Sequence, residues 1–186
     1  MIRKEGFILV QFSYSDHSVL TKIKVLNSKR SVTLKVDTGS PITLLSCKSL
    51  HKLTGYSIDE IRKFVDGSNA LIFHGVGGFS IRVVPCSIRN IILGDENTVS
   101  NKISIDLFTT FVTDDNMNIG LLGMDFLEAC VINMTFGRMQ VVEFYADMFL
   151  KKFKDNCRGM KISEINALSG KRSIQDLLSQ AEGNRE

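Results

Sequence analysis

The stretch Ser31-Val32-Thr33-Leu34-Lys35-Val36-Asp37-Thr38-Gly39-Ser40 decides how the rest of this chain is read. Val32, Leu34 and Val36 alternate with Ser31, Thr33 and Lys35, a period of two that predicts a strand with one apolar face. Asp37 follows directly, so a carboxylate sits at the mouth of a rigid element. Thr38 and Ser40 place hydroxyls beside it, and Gly39 lets the backbone turn sharply and a ligand come close. Chemistry that needs a positioned carboxylate can be built this way. A plain turn competes, because Asp-Thr-Gly is also a common turn composition in which the Asp bonds its own backbone. One Asp is not a catalytic pair, so a function for Asp37 must say where a second carboxylate comes from.

Working outward, Val19, Thr21, Ile23 and Val25 alternate with Leu20, Lys22 and Lys24, and Asn27-Ser28-Lys29-Arg30 is a turn. Residues 19–36 therefore predict a hairpin. Ser46 caps a short helix through Leu50 and Leu53 that Gly55 ends. Ser57-Ile58-Asp59-Glu60 matches a capping box and opens a second helix through Ile61 and Phe64. Strand character resumes at Ala70 to Phe73, then the glycine-rich His74-Gly75-Val76-Gly77-Gly78, then a strand from Phe79 to Val84. Further strands are expected at Ser87 to Leu93 and Ile103 to Val112. Gly120-Leu121-Leu122-Gly123 leads into a short helix, Phe126 to Ala129, and a last hairpin spans Val131 to Phe136 and Met139 to Phe144. Past residue 147 the composition shifts: Lys151 to Arg172 holds seven Lys or Arg against two acids. An amphipathic helix is expected from Ser173 to Ala181, with Ile174, Leu177 and Leu178 on one face. The chain divides on this reading into a domain at 1–146 and a basic, partly helical tail at 147–186.

Several function classes lose support on composition. With 186 residues, 44% hydrophobic and 23% charged, the chain is long enough for a full core and ordinary for a globular protein. A net charge of +3 is too small to argue for nucleic acid by itself. No run approaches the ~18 apolar residues of a membrane helix. The four cysteines, Cys47, Cys86, Cys130 and Cys157, show no metal-ligand spacing and are expected as free thiols in a reducing cytoplasm. Gly75-Val76-Gly77-Gly78 lacks the Lys and the following helix of a phosphate loop. Its glycines suit either a hairpin that opens and closes or a loose turn. His74 beside them has no nucleophile elbow to serve. Of the other acids, Asp106 falls on a polar face, and Asp125 is expected to cap the helix opening at Phe126.

Taken together and in order, these segments resemble the retropepsin family of aspartic proteases. Asp37-Thr38-Gly39-Ser40 is similar to the family's catalytic signature, and Ile72 to Phe79 resembles its glycine-rich flap. Asn118-Ile119-Gly120-Leu121-Leu122-Gly123-Met124-Asp125-Phe126-Leu127 resembles its apolar-apolar-Gly motif and following helix. The likeness spans about residues 7 to 145. It implies a mostly β, closed fold with a flap hairpin and short helices. It also implies an aspartic endopeptidase whose two Asp37 carboxylates come from the two subunits of a homodimer, with a polypeptide substrate and no metal or cofactor. By the same likeness Thr38 grips the partner backbone and Gly39 presents its carbonyl to substrate. Gly39, His74, Gly75, Val76, Gly77, Gly78, Leu121 and Leu122 are the implied substrate contacts.

Some positions depart from the family pattern. Pro41 and Ile42 stand where viral members often carry acids, and Met124 stands where they carry an Arg, so another surface or the C-terminal helix must hold the dimer. The connection from Asp37 to the hairpin is longer than in compact viral members. Ser40 stands where viral members often have Ala. A hydroxyl bonded to the carboxylate favours its charged form and predicts an optimum shifted toward acid. A rival reading keeps the fold as a catalytically silent dimerisation or peptide-binding module. Against it, the Asp, Thr and Gly of the signature are all intact.

Overall fold

The computed structural model describes residues 10–15, 17–75, 78–94, 102–114, 117, 119–135, 138–158 and 166–168. Its elements are β1 (Val10–Ser15), β2 (Ser18–Val25), β3 (Ser31–Val36), β4 (Leu44–Ser46), α1 (Cys47–Thr54), α2 (Ile58–Gly67), β5 (Leu71–His74) and β6 (Ser80–Leu93). They continue as β7 (Ile103–Thr113), β8 (Gly120–Leu122), α3 (Met124–Leu127), β9 (Cys130–Thr135), β10 (Arg138–Phe144), α4 (Ala146–Asn156) and β11 (Asn166–Leu168). The molecule is mostly β with a few short helices, the class expected from sequence. The expected helix at 173–181 lies outside the described residues.

The sheet closes on itself. Its order runs β6-β7-β4-β8-β3-β2, and β2 pairs back to β6 through Ile23↔Leu93, Lys24↔Ile92 and Val25↔Ile91. Closure leaves no free edge within this ring, while β9 and β11 stand outside it at the two ends of the strand order of the described residues. The inward residues fill the enclosed space: Ile23, Leu34, Leu45, Ile88, Ile91, Leu93, Ile105, Phe108 and Leu122 belong to one buried cluster. The β2–β3 hairpin forms as its alternation predicts, with Leu20↔Lys35 through Lys24↔Ser31 in register. Asn27 adopts φ 65° in its turn, a left-handed conformation that Asn tolerates.

Both early helices start and stop where their caps dictate. The Ser46 hydroxyl accepts the Ser49 N–H, and Gly55, at φ 82°, ends α1 with its N–H on the His51 carbonyl. Ser57 and Glu60 form a reciprocal capping box at the start of α2. These two helices account for the long connection between Asp37 and the β5–β6 hairpin.

Two expectations are corrected. The strands expected at Phe79 to Val84 and Ser87 to Leu93 are one continuous strand, β6, which begins at Ser80 and runs on in spite of Pro85. The strand changes partner at that point: Val83 pairs with Leu71 of β5, whereas Val84 pairs with Val112 of β7. A proline costs least where a ladder is handed from one neighbour to the next. The composition shift at residue 147 also does not mark the edge of the packed core. Helix α4 buries Phe149 and Phe153 completely, with Phe149 against Phe108 and Phe126 and Phe153 against Phe111. Its lysines mask this in the composition, because they occupy the opposite face.

Phe149→Ala should therefore lower stability in urea unfolding by about 3–5 kcal/mol, the usual cost of deleting a buried Phe. A change within about 0.5 kcal/mol, typical of a surface position, would contradict the packing described for α4.

Candidate active site

Strand β8 lies between β3 and β4, parallel to the first and antiparallel to the second. The chain leaving β3 must therefore cross over the end of β8 to enter β4, and Asp37 to Thr43 make that crossing. Backbone bonds lace the crossing to the segment beneath it. Asp37 N–H donates to the Leu122 carbonyl (3.1 Å), Met124 N–H to the Ser40 carbonyl (2.8 Å) and Asp125 N–H to the Pro41 carbonyl (3.2 Å). Gly123 sits under the crossing, where an added Cβ would lie 2.2 Å from the Ile42 carbonyl oxygen. Only a glycine fits there, and the reason is space rather than φ.

At the head of the crossing, Asp37 is half-buried while Thr38 and Gly39 are exposed. The Gly39 N–H donates to Asp37 Oδ1 at 2.9 Å, and Ser40 N–H donates to the Asp37 carbonyl at 3.2 Å. A Cβ on Gly39 would approach Asp37 Oδ1 to 3.2 Å, closer than an ordinary contact. The carboxylate is thus held by its own turn, with one oxygen engaged. Ser40 does not take the expected role. Its hydroxyl donates to the Ile42 carbonyl at 2.7 Å, so its one proton is not available to Asp37 and the predicted acid shift loses its cause.

Leu121 and Leu122 stand beside Lys35 and Val36 on the neighbouring strand, which brings the apolar-apolar-Gly motif to the Asp37 turn. The β5–β6 hairpin is also present, with His74↔Ser80 as its last pair. His74 is exposed, its Nδ1 2.8 Å from Ser80 Oγ. Gly75 N–H donates to the Phe79 carbonyl, and the Phe79 ring fills the space a Gly75 side chain would need, 2.4 Å from its notional Cβ. Gly78 takes φ 80°. Val76 and Gly77 lie outside the described residues. The base of the hairpin joins the crossing through a second apolar cluster. Leu71, Phe73, Ile81 and Val83 pack there with Ile42, Leu44, Leu121, Phe111 and Phe153. Phe79 and Ile72 project beyond it, 63% and 56% exposed.

Sequence reasoning missed the residues that pin the crossing from behind. Asp125 is not simply a helix cap. It sits one residue inside α3, only 2% exposed, and although its Oδ1 accepts Phe126 N–H at 2.8 Å, its main partner is Thr43. Thr43 N–H donates to Asp125 Oδ2 at 2.9 Å and the Thr43 hydroxyl to Oδ1 at 2.6 Å. That hydroxyl also accepts Gly123 N–H at 3.1 Å. Burial pushes the Asp125 carboxyl up to about 6, and its hydrogen bonds from Thr43 and Phe126 offset this only in part. The partners are 82 residues apart in sequence, so no local pattern links them.

Other chemistries find little to work with. All four cysteines are free, and burial raises each thiol, so none is a ready nucleophile at neutral pH. Among the described residues no group of three His, Cys, Asp or Glu side chains is placed to hold a metal ion.

No family model matches the chain, and no curated protein does. Among solved structures, a retropepsin-like aspartic protease from Rickettsia conorii is similar at TM-score 0.47 and 14% identity, covering 75% of this chain and 96% of that one. The EIAV protease, in complex with the inhibitor HBY-793, is similar at TM-score 0.35 and 16% identity, covering 61% and 88%.

The raised Asp125 carboxyl carries a sign. The folded chain binds this proton more tightly than the unfolded one. The contribution is therefore complete below the ordinary Asp range and is lost as pH rises through about 6. Urea midpoints of wild type and Asp125→Asn between pH 4 and 7.5 should show the wild type losing stability relative to the variant as pH rises. Parallel curves would mean that Asp125 titrates as an ordinary exposed carboxyl.

Proposed function

We propose that this protein is a retropepsin-like aspartic endopeptidase, active as a homodimer in which Asp37 of each subunit supplies half of a catalytic dyad. The observation that carries this reading is the Asp37 turn. A carboxylate is held by the Gly39 N–H at 2.9 Å, on a crossing laced to β8, with Thr38 and Gly39 open to an approaching chain.

The chemistry follows from bringing two such carboxylates together. At a separation of about 3 Å they cannot both ionise cheaply, so the pair shares a proton. The ionised member takes a proton from a water whose oxygen attacks the scissile carbonyl carbon. The protonated member hydrogen-bonds the carbonyl oxygen as the carbon becomes tetrahedral, and the C–N bond then breaks as the leaving nitrogen takes a proton from the dyad. Gly39 offers backbone to an extended substrate, and Leu121 and Leu122 an apolar wall. The hairpin of His74, Gly75, Val76, Gly77 and Gly78 acts as a flap, with its exposed Phe79 and Ile72 covered on closure. On this reading the two Asp37 residues face each other across the two-fold axis of an isologous homodimer.

Strand β9 supports the dimer. It stands last in the strand order of the described residues, and Val131 and Met134 are exposed on its two faces, so its free edge is flanked by apolar side chains that a second copy would cover. Such an edge suits a dimer that lacks the charged pair of viral members. A reducing compartment such as the cytoplasm suits the four free thiols.

Wild type should cleave an unstructured protein somewhere between pH 4 and 8, and Asp37→Asn should reduce the rate by at least about a thousandfold, as loss of a catalytic group does. Specific activity of the wild type should fall on dilution in step with dimer dissociation measured by sedimentation. Excess Asp37→Asn subunit should suppress it by forming mixed dimers. Equal activity in wild type and variant, or none in either, would sink the protease reading. Activity independent of concentration and untouched by the inactive subunit would sink the shared dyad.

A further inference from the structure

The Thr43–Asp125 pair touches no solvent-facing part of the site, yet its geometry points to a role in the site. Every polar atom of Thr43 is hydrogen-bonded, and together they reach three parts of the fold. Its N–H and hydroxyl go to Asp125 in α3, its hydroxyl oxygen accepts from Gly123, and its carbonyl accepts from Phe111 N–H (2.9 Å) and the Thr110 hydroxyl (3.0 Å) in β7. Thr43 cannot shift without breaking several of these bonds at once. At the other end of the crossing, Asp37 N–H is tied to Leu122. The crossing is thereby stretched between two anchors, and the one nearer β4 depends on a buried carboxylate.

We propose that Asp125, acting through Thr43, is the positioning residue of the Asp37 turn: its carboxylate fixes where the crossing lies on β8 and hence where the Asp37 carboxyl group stands. The catalytic consequence rests on the protease reading above; the positioning itself rests on geometry alone. An apolar side chain would fill the same volume without the cost of a buried charge. What it lacks is direction. The three donors converging on Asp125 match an ionised carboxylate, which only accepts.

The surroundings make the grip sensitive to protonation. From α4, the Cys157 thiol faces Asp125; burial and the Asp125 charge both raise it, so it stays neutral. On the α3–α4 surface, Glu128 and Lys152 pair with each other. From the crossing and from α3 itself, Thr43 and Phe126 present only neutral donors. When Asp125 takes up a proton, the Thr43 hydroxyl is the one bonded neighbour that can accept it; to do so it must stop donating to Asp125, and the hold on Thr43 weakens.

The kinetic test uses the full chain in four forms: wild type, Thr43→Val, Thr43→Ser and Asp125→Asn. In Thr43→Val, kcat for an unstructured protein substrate should fall by about 10- to 100-fold with KM within about twofold, the size of effect expected when a reacting group is misplaced by about 1 Å. Thr43→Ser keeps the hydroxyl and should restore kcat. Asp125→Asn sets an amide N–H₂ against either Thr43 N–H or Phe126 N–H and the donating Thr43 hydroxyl, and should match the Val variant. Backbone amide shifts of Gly39 and Ser40, followed by NMR in an Asp37→Asn background, should titrate with a midpoint near 6 and become flat when Asp125→Asn is added. This second readout does not need activity. An inactive wild type would sink the protease reading and leave the positioning proposal to the amide shifts. Flat shifts with Asp125 intact, or a Ser variant as defective as the Val variant, would overturn the positioning proposal.

Discussion

The buried hydrogen bonds between Thr43 and Asp125 hold the crossing of the chain over β8, and much of the molecule depends on that crossing. Strand β8 is only three residues long, as is β4. Neither would persist as an isolated hairpin strand. Each is stabilised because the crossing clamps β8 between β3 and β4, which continues the ladder to β7 and lets β6 close back onto β2. The same clamp places Asp37 at the closed end of that ladder. Barrel and site are therefore two results of one local arrangement.

A carboxylate buried to 2% exposure is an expensive way to tie two segments together. The cost is reduced here by three donors at 2.6–2.9 Å, and what remains shows in the raised Asp125 carboxyl. Apolar packing supports the rest. Ile42, on the crossing itself, belongs to a cluster that reaches Phe111 in β7, Phe153 in α4 and the base of the β5–β6 hairpin. Helix α4 is thus part of the foundation of the site. The hairpin base and the Asp37 crossing share one apolar mounting.

The parts that were legible in the sequence have local causes. The β2–β3 hairpin follows from strict alternation and an Asn turn. Helices α1 and α2 begin at Ser46 and Ser57 because those hydroxyls satisfy the first free N–H groups. The Asp37 turn was visible because Gly39 must leave room for the carboxylate oxygen. What escaped has non-local causes. Pro85 reads as a break, yet β6 runs through it because the ladder partner changes there. Lysines of α4 concealed a helix whose other face is buried. The Ser40 hydroxyl could have turned to Asp37 or to Ile42, and only the folded crossing decides for Ile42.

The sequence by itself determined a mostly β chain, the capped helices, a glycine-tipped hairpin and a carboxylate at a strand end, because periodicity, caps and turns act over a few residues. It also contained the reason for Gly123 without revealing it. That position must be Gly because Ile42, 81 positions earlier, passes within 2.2 Å of where a Cβ would stand. Only the tertiary structure decided that Asp125 grips Thr43 instead of merely capping a helix, that α4 belongs to the core, and that Asp37 rests on a laced crossing. Such pairings join segments far apart in the chain. They form only when closing the barrel outweighs the entropy of bringing those segments together.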